Sequence, residues 1–396
     1  MEPVTIIFNS HSGSYGNSSL ISSEFDQLSF TGTPETLKLD IDHLSIDAIE
    51  NFMKNHSSNF ILGYMGYDLG LQLLGKNPSK NEPVTSLPTT YLVAIEKSKV
   101  KFDEKQTTTP SNKEDPKPFL LQTTVSKKKY IENVLALKKH IQLGNIYEIN
   151  YCIPFIAENI EIDSFLIWER LCKISPMPFS AFIDHQDFAI ISASPERFIK
   201  KKASHLFIQP MKGTKAKGKT NEEDDILVEE LKNDPKEKSE NVMIVDLTRN
   251  DLSKVAERGS VTVNKLFGVY SYRSIHQMIS TVSCTIDKNT SFIDIVKATF
   301  PMGSMTGAPK SRAVDLIDEF ENFSRGSFSG MMGYIDPNGD FDFNVMIRTI
   351  FYDKIRKKIF VAVGSAITSK SDVEKEYEEC LIKLQPLLQA LNASIE

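Results

Sequence analysis

The sequence lacks the features that mark several large classes of protein. Its 396 residues include only four cysteines, and Cys152, Cys172, Cys284 and Cys380 form no Cys-x-x-Cys pair. This scatter excludes a cysteine-based zinc site and indicates reduced thiols. No apolar run approaches the roughly 20 residues that span a bilayer. The opening segment lacks the basic and long apolar stretches of a signal peptide, so we expect a cytoplasmic protein.

An excess of basic residues is also missing. The chain has 46 lysines and arginines against 52 aspartates and glutamates, which gives a net charge of −6. We therefore expect no nucleic acid and no anionic membrane as a partner. Hydrophobic residues make up 40% and charged residues 25%. This composition allows a sizeable core and argues against wholesale disorder.

Local composition divides the chain into three regions. Residues 101–118 read KFDEKQTTTPSNKEDPKP, and their polar character predicts a surface loop or linker. Region 1–100 before them is modest in size, and region 119–396 after them is denser and more regular. We expect the three regions to form one compact unit.

Helical and strand patterns alternate after residue 119. Ser126 can cap a helix that Gly144 ends. Other helical patterns lie at about 222–245, 308–320 and 372–391, and strand patterns cover 187–213 and 330–364. The dipeptide Asn338-Gly339 is the strongest hairpin signal in the chain. Together these patterns predict a mixed α/β protein with much antiparallel sheet.

Two pairs of glutamates stand three residues apart on predicted helices: Glu237 with Glu240, and Glu376 with Glu379. Residues i and i+3 share one face of a helix, so each pair points its carboxylates in one direction. If the two faces meet, the four carboxylates need a cation, and hard oxygen ligands select Mg²⁺. On spacing alone, two solvated helix faces are the simpler interpretation.

A lysine follows an apolar strand in the segment HLFIQPMKGT. Free lysine has a pKa of about 10.4, so Lys212 becomes a nucleophile only if burial or nearby positive charge lowers that pKa. Glu196 lies on the preceding strand, and adjacent strands would bring the two side chains together. Protonated Glu196 could then donate to a leaving hydroxyl while neutral Lys212 attacks. A structural Lys–Glu ion pair on a sheet surface is the simpler interpretation of these two residues alone.

Eight segments along the chain together resemble one family. In order they are GNIYEINY, SASPERF, PMKGTKAKG, SENVMIVDLTRNDL, GSMTGAPKSRAVDLID, RGSFSGMMGYID, MIRTIF and EKEYEECLIK. They are similar to the motifs of chorismate-utilising enzymes and cover about residues 126–391. The resemblance implies an α+β fold with two large packed antiparallel sheets flanked by helices. It also implies that region 1–100 is the family's N-terminal segment, which in some relatives holds an aromatic amino acid.

Two positions in these segments indicate a branch of the family. Members that activate water have a lysine where this chain has Glu148, and ammonia-using members usually have glutamine. Anthranilate-forming members typically read Pro-Ile-Ala-Gly-Thr where this chain reads Pro-Met-Lys-Gly-Thr at residues 210–214. The resemblance therefore implies the branch that aminates chorismate at C4. The alternatives are anthranilate formation and, from another functional class, a non-catalytic sensor of chorismate or an aromatic amino acid.

The resemblance also implies roles for individual residues. Lys212 attacks ring C2 of chorismate, Glu196 protonates the departing C4 hydroxyl, and ammonia then displaces the lysine. The residues implied to hold Mg²⁺ are Glu240, Glu379, Glu237 and Glu376. Substrate-binding motif positions are Arg348, Tyr334, Thr306, His276, Gly364 and Lys383, with Ser365 and Ala366 in place of the usual glycines.

The source of ammonia is the last implied component. No cysteine lies in a Gly-x-Cys-x-Gly context, which a glutaminase nucleophile requires. The resemblance therefore implies a separate glutamine amidotransferase partner. Ammonium salts should replace that partner in vitro.

Overall fold

The computed structural model describes residues 2–10, 26–102, 116–218, 220–272 and 275–395. The strands in chain order are β1 (Val4–Asn9), β2 (Gln27–Gly32), β3 (Glu35–Leu39), β4 (Phe60–Met65), β5 (Thr90–Ile95), β6 (Lys101–Phe102), β7 (Phe119–Leu121), β8 (Glu148–Ala157), β9 (Phe179–His185), β10 (Phe188–Ser194), β11 (Arg197–Lys202), β12 (His205–Ile208), β13 (Met211–Ala216), β14 (Thr262–Ser271), β15 (Ile275–Thr285), β16 (Gly307–Ala308), β17 (Met331–Ile335), β18 (Phe341–Val345), β19 (Thr349–Asp353), β20 (Lys358–Ile367) and β21 (Ala393–Ile395).

The α-helices are α1 (Ile46–Asn55), α2 (Tyr67–Leu73), α3 (Lys127–Gln142), α4 (Ser164–Ile174), α5 (Asn221–Asn233), α6 (Pro235–Ser253), α7 (Phe292–Thr299), α8 (Lys310–Phe320) and α9 (Val373–Leu391). No helix within the described ranges is both long enough and apolar enough to cross a bilayer. All four cysteines are free, in agreement with the prediction of reduced thiols.

The strands form two large antiparallel sheets. The first has nine strands in the order β16-β8-β20-β19-β10-β9-β1-β2-β6. The second has ten: nine in the order β13-β15-β12-β11-β18-β17-β4-β5-β3, and β14, which pairs with the other side of β15. Strands β7 and β21 form a short parallel pair. This architecture confirms the predicted α+β class.

The first sheet is buried on both faces. Successive side chains of a strand point to opposite faces, so neighbouring residues of β1 show what covers each face. Ile6 of β1 packs in the core between the two sheets, together with Phe343 of β18. The next residue, Ile7, packs on the other face with Leu387 of α9 and with residues of α3 and α4. Burying each such side chain contributes about 1.5–3 kcal/mol. The sheets therefore pack on each other, and a helical layer covers the outer face of the first sheet.

Strands from residues 4–95 enter both large sheets. Strand β1 pairs with β9 in the first sheet, and β4 pairs with β17 in the second. Of the predicted polar loop at 101–118, residues 101–102 form β6, and residues 103–115 lie outside the described ranges.

Several local predictions are confirmed by backbone and capping geometry. The Ser126 hydroxyl accepts a hydrogen bond from the Lys129 amide at the start of α3, as expected of an N-cap. Gly144 follows the helix with φ of +74°. Gly339 has φ of +77° in the tight connection between β17 and β18, a conformation that glycine adopts readily.

One predicted helix is two helices. The prediction of a single helix over 222–245 is wrong, because α5 ends at Asn233 and α6 begins at Pro235. Asp234 caps α6 by accepting hydrogen bonds from the amides of Lys236 and Glu237. Proline suits the first position of a helix but lacks the N–H that a continuous helix needs.

A buried ion pair ties together the loops near the edge of the first sheet. Arg325 donates from Nε to Glu321 Oε2 at 2.8 Å and from Nη2 to Glu321 Oε1 at 2.6 Å. Its Nη1 donates to the Met305 carbonyl at 2.6 Å, and Nη2 to the Asn150 carbonyl at 3.0 Å. One guanidinium thus fixes the segment before β16 against β8.

Replacing Glu321 by alanine should lower the free energy of unfolding by about 3–5 kcal/mol, because it leaves the buried Arg325 charge unpaired. Urea denaturation monitored by circular dichroism measures this. The control is Glu229→Ala, which breaks an exposed ion pair with Lys232 and should change stability by no more than about 1 kcal/mol. Equal effects of the two substitutions would contradict the structural role of Arg325.

Candidate active site

Most of the predicted site residues gather where the edges of the two large sheets meet two helices. Lys212 lies on β13, an edge strand of the second sheet, and Glu148 begins β8 beside the edge strand β16 of the first. Helices α6 and α9 each carry one of the predicted glutamate pairs. The site is therefore built from four segments that are far apart in the sequence.

Lys212 forms a buried ion pair with Glu148. The Lys212 Nζ atom lies 2.7 Å from Glu148 Oε1, and the two side chains are 11% and 2% exposed. Burial alone would lower the pKa of Lys212, but the carboxylates of Glu148 and Glu240 outweigh it and raise that pKa above its usual range. The lysine is thus held as an ammonium. The sequence pattern identified both residues but not their contact.

Gly213 allows β13 to approach α6 closely. Its φ is +78°, and a Cβ atom there would lie 2.9 Å from Leu231 Cδ1 and 3.0 Å from Glu237 Oε2. Any larger residue would strain the backbone at this φ and would displace the ends of the Leu231 and Glu237 side chains. The glycine after Lys212 therefore keeps the lysine near the helix that carries Glu237 and Glu240.

Glu196 lies in the connection from β10 to β11, where the chain crosses from the first sheet to the second. Burial raises its pKa to about 7, although a hydrogen bond from Ser304 and the charges of Lys212 and Lys383 oppose this. A large fraction of this carboxyl is therefore protonated near neutral pH. Its neighbouring strand β11 pairs with β12, and β12 and β13 pair with successive parts of one side of β15. Glu196 and Lys212 are close enough for the charge of each to shift the pKa of the other.

A lysine that the sequence analysis did not single out bridges the two glutamate-bearing helices. Lys236 Nζ lies 3.0 Å from Glu376 Oε1 of α9 and 3.8 Å from Glu240 Oε1 of its own helix. Burial lowers the pKa of Lys236, but Glu376 and Glu240 raise it by more. The ammonium thus partly neutralises the glutamates.

The charges of the site fit a divalent cation. Burial, with the neighbouring Glu148 and Glu237 adding to it, raises the pKa of Glu240 to about 7 even though Lys212 and Lys236 oppose the shift. Glu240 Oε1 is buried, and no described residue donates a hydrogen bond to it. If all of these side chains were ionised, six carboxylates and four cations would leave a net charge of −2. The carboxylates are those of Glu148, Glu196, Glu237, Glu240, Glu376 and Glu379, and the cations are Lys212, Lys236, Lys383 and Arg348.

The four predicted ligands are close but do not form a closed metal site. Among the described residues, no three of them have oxygens that all lie within 4.8 Å of one another. Carboxylate oxygens are nevertheless the ligands that Mg²⁺ prefers. The donor set therefore suits Mg²⁺, and Lys236 lies between the two helices that supply it.

Arg348 is the predicted substrate-binding residue whose side chain is most available to a ligand. It has φ of +52° in the connection between β18 and β19, a strained conformation for a residue other than glycine. Within the described residues its guanidinium makes no hydrogen bond or ion pair. Burial lowers its pKa to about 10, against the opposing charge of Glu379, so it stays cationic at neutral pH. Its guanidinium can therefore donate two hydrogen bonds to a carboxylate.

Lys383, on the same helix as Glu376 and Glu379, contacts Gly364 of β20. Lys383 Nζ is 2.6 Å from Glu379 Oε1 and donates to the Gly364 carbonyl at 2.8 Å. A Cβ atom on Gly364 would lie only 2.4 Å from Cys152 Sγ. Glycine at this position thus lets β20 lie close to β8, and Lys383 holds α9 against β20.

The side chains of Ser365 and Ala366 point in opposite directions from β20. The Ser365 hydroxyl lies 2.9 Å from the Tyr130 hydroxyl in the helical layer. Because side chains alternate along a strand, Ala366 shares a face with Gly364 and Ser365 does not. Only the Ala366 methyl group therefore adds bulk on the side of Gly364.

Thr306 and His276 are buried, and their side chains contact groups other than Lys212 and the glutamates. The Thr306 hydroxyl donates to the Met302 carbonyl at 3.0 Å, which stabilises the loop before β16. His276 Nε2 lies 3.0 Å from an oxygen of Asp224 on α5. The neighbouring Gln277, which the sequence analysis did not single out, donates to the Gly213 carbonyl at 2.8 Å. Gln277 is thus bonded to the backbone next to Lys212, and His276 is not.

Tyr334 lies in a separate cavity. It shares this cavity with Phe8, Phe179 and Met332, together with the polar residues Asp342 and Asn344. The structure therefore does not bring Tyr334 together with Lys212 and the glutamates. Since β1 contributes Phe8, this cavity adjoins region 1–100, where an aromatic amino-acid pocket stays a prediction.

The chain is similar to known proteins of one family. The family described as chorismate binding enzyme matches residues 26–389. Over 267 residues the chain is 38% identical to the aminodeoxychorismate synthase of Streptomyces griseus, covering 67% of this chain and 36% of that protein. It is 35% identical to aminodeoxychorismate synthase component 1 of Bacillus subtilis over 267 residues, 67% of this chain and 56% of that one.

The chain thus spans about a third to a half of the length of these two relatives. Its fold superimposes on the crystal structure of anthranilate synthase component I from Streptococcus pneumoniae with a TM-score of 0.77. The two chains are 23% identical and 91% of each is covered, a likeness that establishes the fold. The family match covers most of the sequence, and the chain belongs to the chorismate-binding enzymes.

Proposed function

We propose that this chain aminates chorismate at C4 to give 4-amino-4-deoxychorismate, the precursor of para-aminobenzoate in folate synthesis. The observation that carries the proposal is Lys212, a buried amine among carboxylates at the position where anthranilate-forming relatives have alanine. The names of the two relatives above support it. A separate glutamine amidotransferase supplies the ammonia in the cytoplasm.

Two carboxylates of chorismate require two binding partners. The Arg348 guanidinium suits the enolpyruvyl carboxylate, since an arginine fork pairs with a carboxylate in two hydrogen bonds. The ring carboxylate faces the cluster of Glu240, Glu379, Glu237 and Glu376, which would hold Mg²⁺. When bound there, Mg²⁺ neutralises that carboxylate and draws electron density from the ring.

The first displacement forms a bond between the enzyme and the ring. Glu148, 2.7 Å from Lys212, accepts the proton that the ammonium must lose. The neutral amine then bonds to ring C2, the two ring double bonds shift, and the C4–O bond breaks. Glu196 gives its proton to the departing oxygen, so the hydroxyl leaves as water.

The second displacement reverses the shift. The ammonia nitrogen bonds to C4, the ring double bonds return, and the C2–N bond breaks with its electron pair returning to Lys212. Glu196, now a carboxylate, takes the proton that the new C4 ammonium loses. Glu148 then returns its proton to the Lys212 amine. Chorismate and ammonia are thus converted to aminodeoxychorismate and water, and Lys212, Glu148 and Glu196 return to their starting states.

Mg²⁺ should stabilise the folded protein through the glutamate cluster. Millimolar MgCl₂ should raise the thermal midpoint, because a ligand at 100 times its Kd adds about 2.7 kcal/mol. Glu240→Gln and Glu376→Gln should remove most of this shift, and isothermal calorimetry should show weaker Mg²⁺ binding. The control Asp246→Asn, on the exposed face of α6, should keep it. A shift that survives both glutamine substitutions would exclude this cluster as the Mg²⁺ site.

Incubation with chorismate, MgCl₂ and ammonium chloride should give a product that yields para-aminobenzoate only after a lyase is added. Direct release of fluorescent anthranilate would instead favour the anthranilate alternative. Lys212→Ala should reduce the rate at least about 10²-fold, because the nucleophile is lost. Lys215→Ala, on the same strand, is the control and should keep the activity. A Lys212→Ala enzyme with the wild-type rate would remove lysine attack from the mechanism.

The Glu148 charge should set the pH at which Lys212 becomes reactive. Because Glu148 raises the pKa of Lys212 and only the neutral amine attacks, Glu148→Gln should lower that pKa. The ascending limb of the kcat/KM profile should then move to lower pH by about one unit or more. Glu230→Gln, which removes the partner of Lys215, should leave the limb in place. A limb that stays fixed or moves to higher pH in Glu148→Gln would show that the pair does not control the reaction.

A further inference from the structure

A small cavity adjoins Glu196. Its volume is about 20 Å³, room for about one molecule of the size of water or ammonia. Residues of α6, the end of α7, the segment before β16 and the start of β11 line it. The lining residues that matter here are Glu196, Thr248, Asp251, Thr299 and Ser304. The two displacements described above leave this space unused.

The cavity continues the active-site face of α6. Glu240, Ile244, Thr248 and Asp251 follow one another at intervals of three or four residues, so they share one face of the helix. At 1.5 Å per residue, Thr248 lies about 12 Å along the axis from Glu240. Glu196 lines the cavity and is also affected by the charge of Lys212. It therefore borders both the cavity and the reaction site.

The two threonines offer hydrogen-bond acceptors to the cavity. The Thr248 hydroxyl donates its hydrogen to the Ile244 carbonyl, and the Thr299 hydroxyl to the Ile295 carbonyl, each at 2.8 Å. A hydroxyl has one hydrogen and two lone pairs, so both oxygens keep only acceptor capacity. The Asp251 carboxylate, held by Lys310 at 2.6 Å, is a further acceptor. The lining also contains donors, the buried Arg197 guanidinium and protonated Glu196. Ammonia, with three hydrogens and one lone pair, can bond to groups of both kinds.

We propose that this cavity is the ammonia-binding site from which C4 of the substrate is aminated, an inference that rests on the proposed function. Water leaves C4 beside Glu196, and ammonia must reach the same carbon. A cavity bordered by Glu196 supplies it there without passing Lys212. The ammonia nitrogen bonds to C4 as the C2–N bond to Lys212 breaks, and Glu196 receives the proton released.

Changes in cavity size should alter the use of amines but not the binding of chorismate. Thr248→Met fills the cavity and should lower kcat/KM for ammonium chloride about tenfold or more, with the KM for chorismate unchanged. Thr248→Ala and Thr299→Ala enlarge it, and should raise kcat/KM for methylamine relative to ammonium about tenfold. The matched control is Thr90→Ala on β5, a buried threonine outside the cavity, which should leave both ratios as in wild type.

The outcomes separate this proposal from the proposed function. A wild-type enzyme that forms no aminated product with ammonium chloride refutes the function itself. A wild type that aminates chorismate, together with cavity variants that use ammonium and methylamine as wild type does, refutes only the ammonia site. Thermal midpoints check that each variant is folded. If Thr248→Met does not fold, the amine ratios of the two alanine variants decide the question.

Discussion

The burial of one lysine among acidic side chains is the constraint on which the site depends. Moving a charged amine out of water is unfavourable unless nearby carboxylates compensate the loss of hydration. Glu148 Oε1 lies 2.7 Å from Lys212 Nζ and provides this compensation. The same carboxylates need cations of their own, which Lys236 and Lys383 partly supply. The site is thus a network of charges in which no member can change without altering the others.

The fold supplies this network by bringing two sheet edges together. Strand β13 ends the second sheet and β16 ends the first, so backbone groups and side chains from both can face helices α6 and α9. Close approach needs Gly213 on one side and Gly364 on the other. Arg325 fixes the loop before β16. The scaffold therefore positions groups whose reactivity depends on small distances.

Local signals predicted the elements better than the contacts between them. The spacing of each glutamate pair, the Ser126 cap and the Asn338-Gly339 turn depend on neighbours in the sequence, and so the sequence sufficed for them. The Lys212–Glu148 pair joins residues 64 positions apart and depends on which strands form the sheet edges. Motif order alone likewise could not show that Tyr334 faces a different cavity.

Glu196 and Lys212 divide the proposed chemistry between an acid and a nucleophile. Burial keeps Glu196 partly protonated near neutral pH, and the pairing with Glu148 holds Lys212 charged until its proton is removed. The opposite demands on these two groups explain why both are buried in one site. They also explain why the lysine needs a proton acceptor within hydrogen-bond distance.

The most direct test is mass spectrometry of the wild-type protein after rapid mixing with chorismate and MgCl₂ in the absence of ammonia. We expect the peptide that contains Lys212 to gain the mass of chorismate minus one water, and to lose it when ammonium chloride is added. Turnover on later addition of ammonium, with no adduct on Lys212 at any earlier time, would contradict the account.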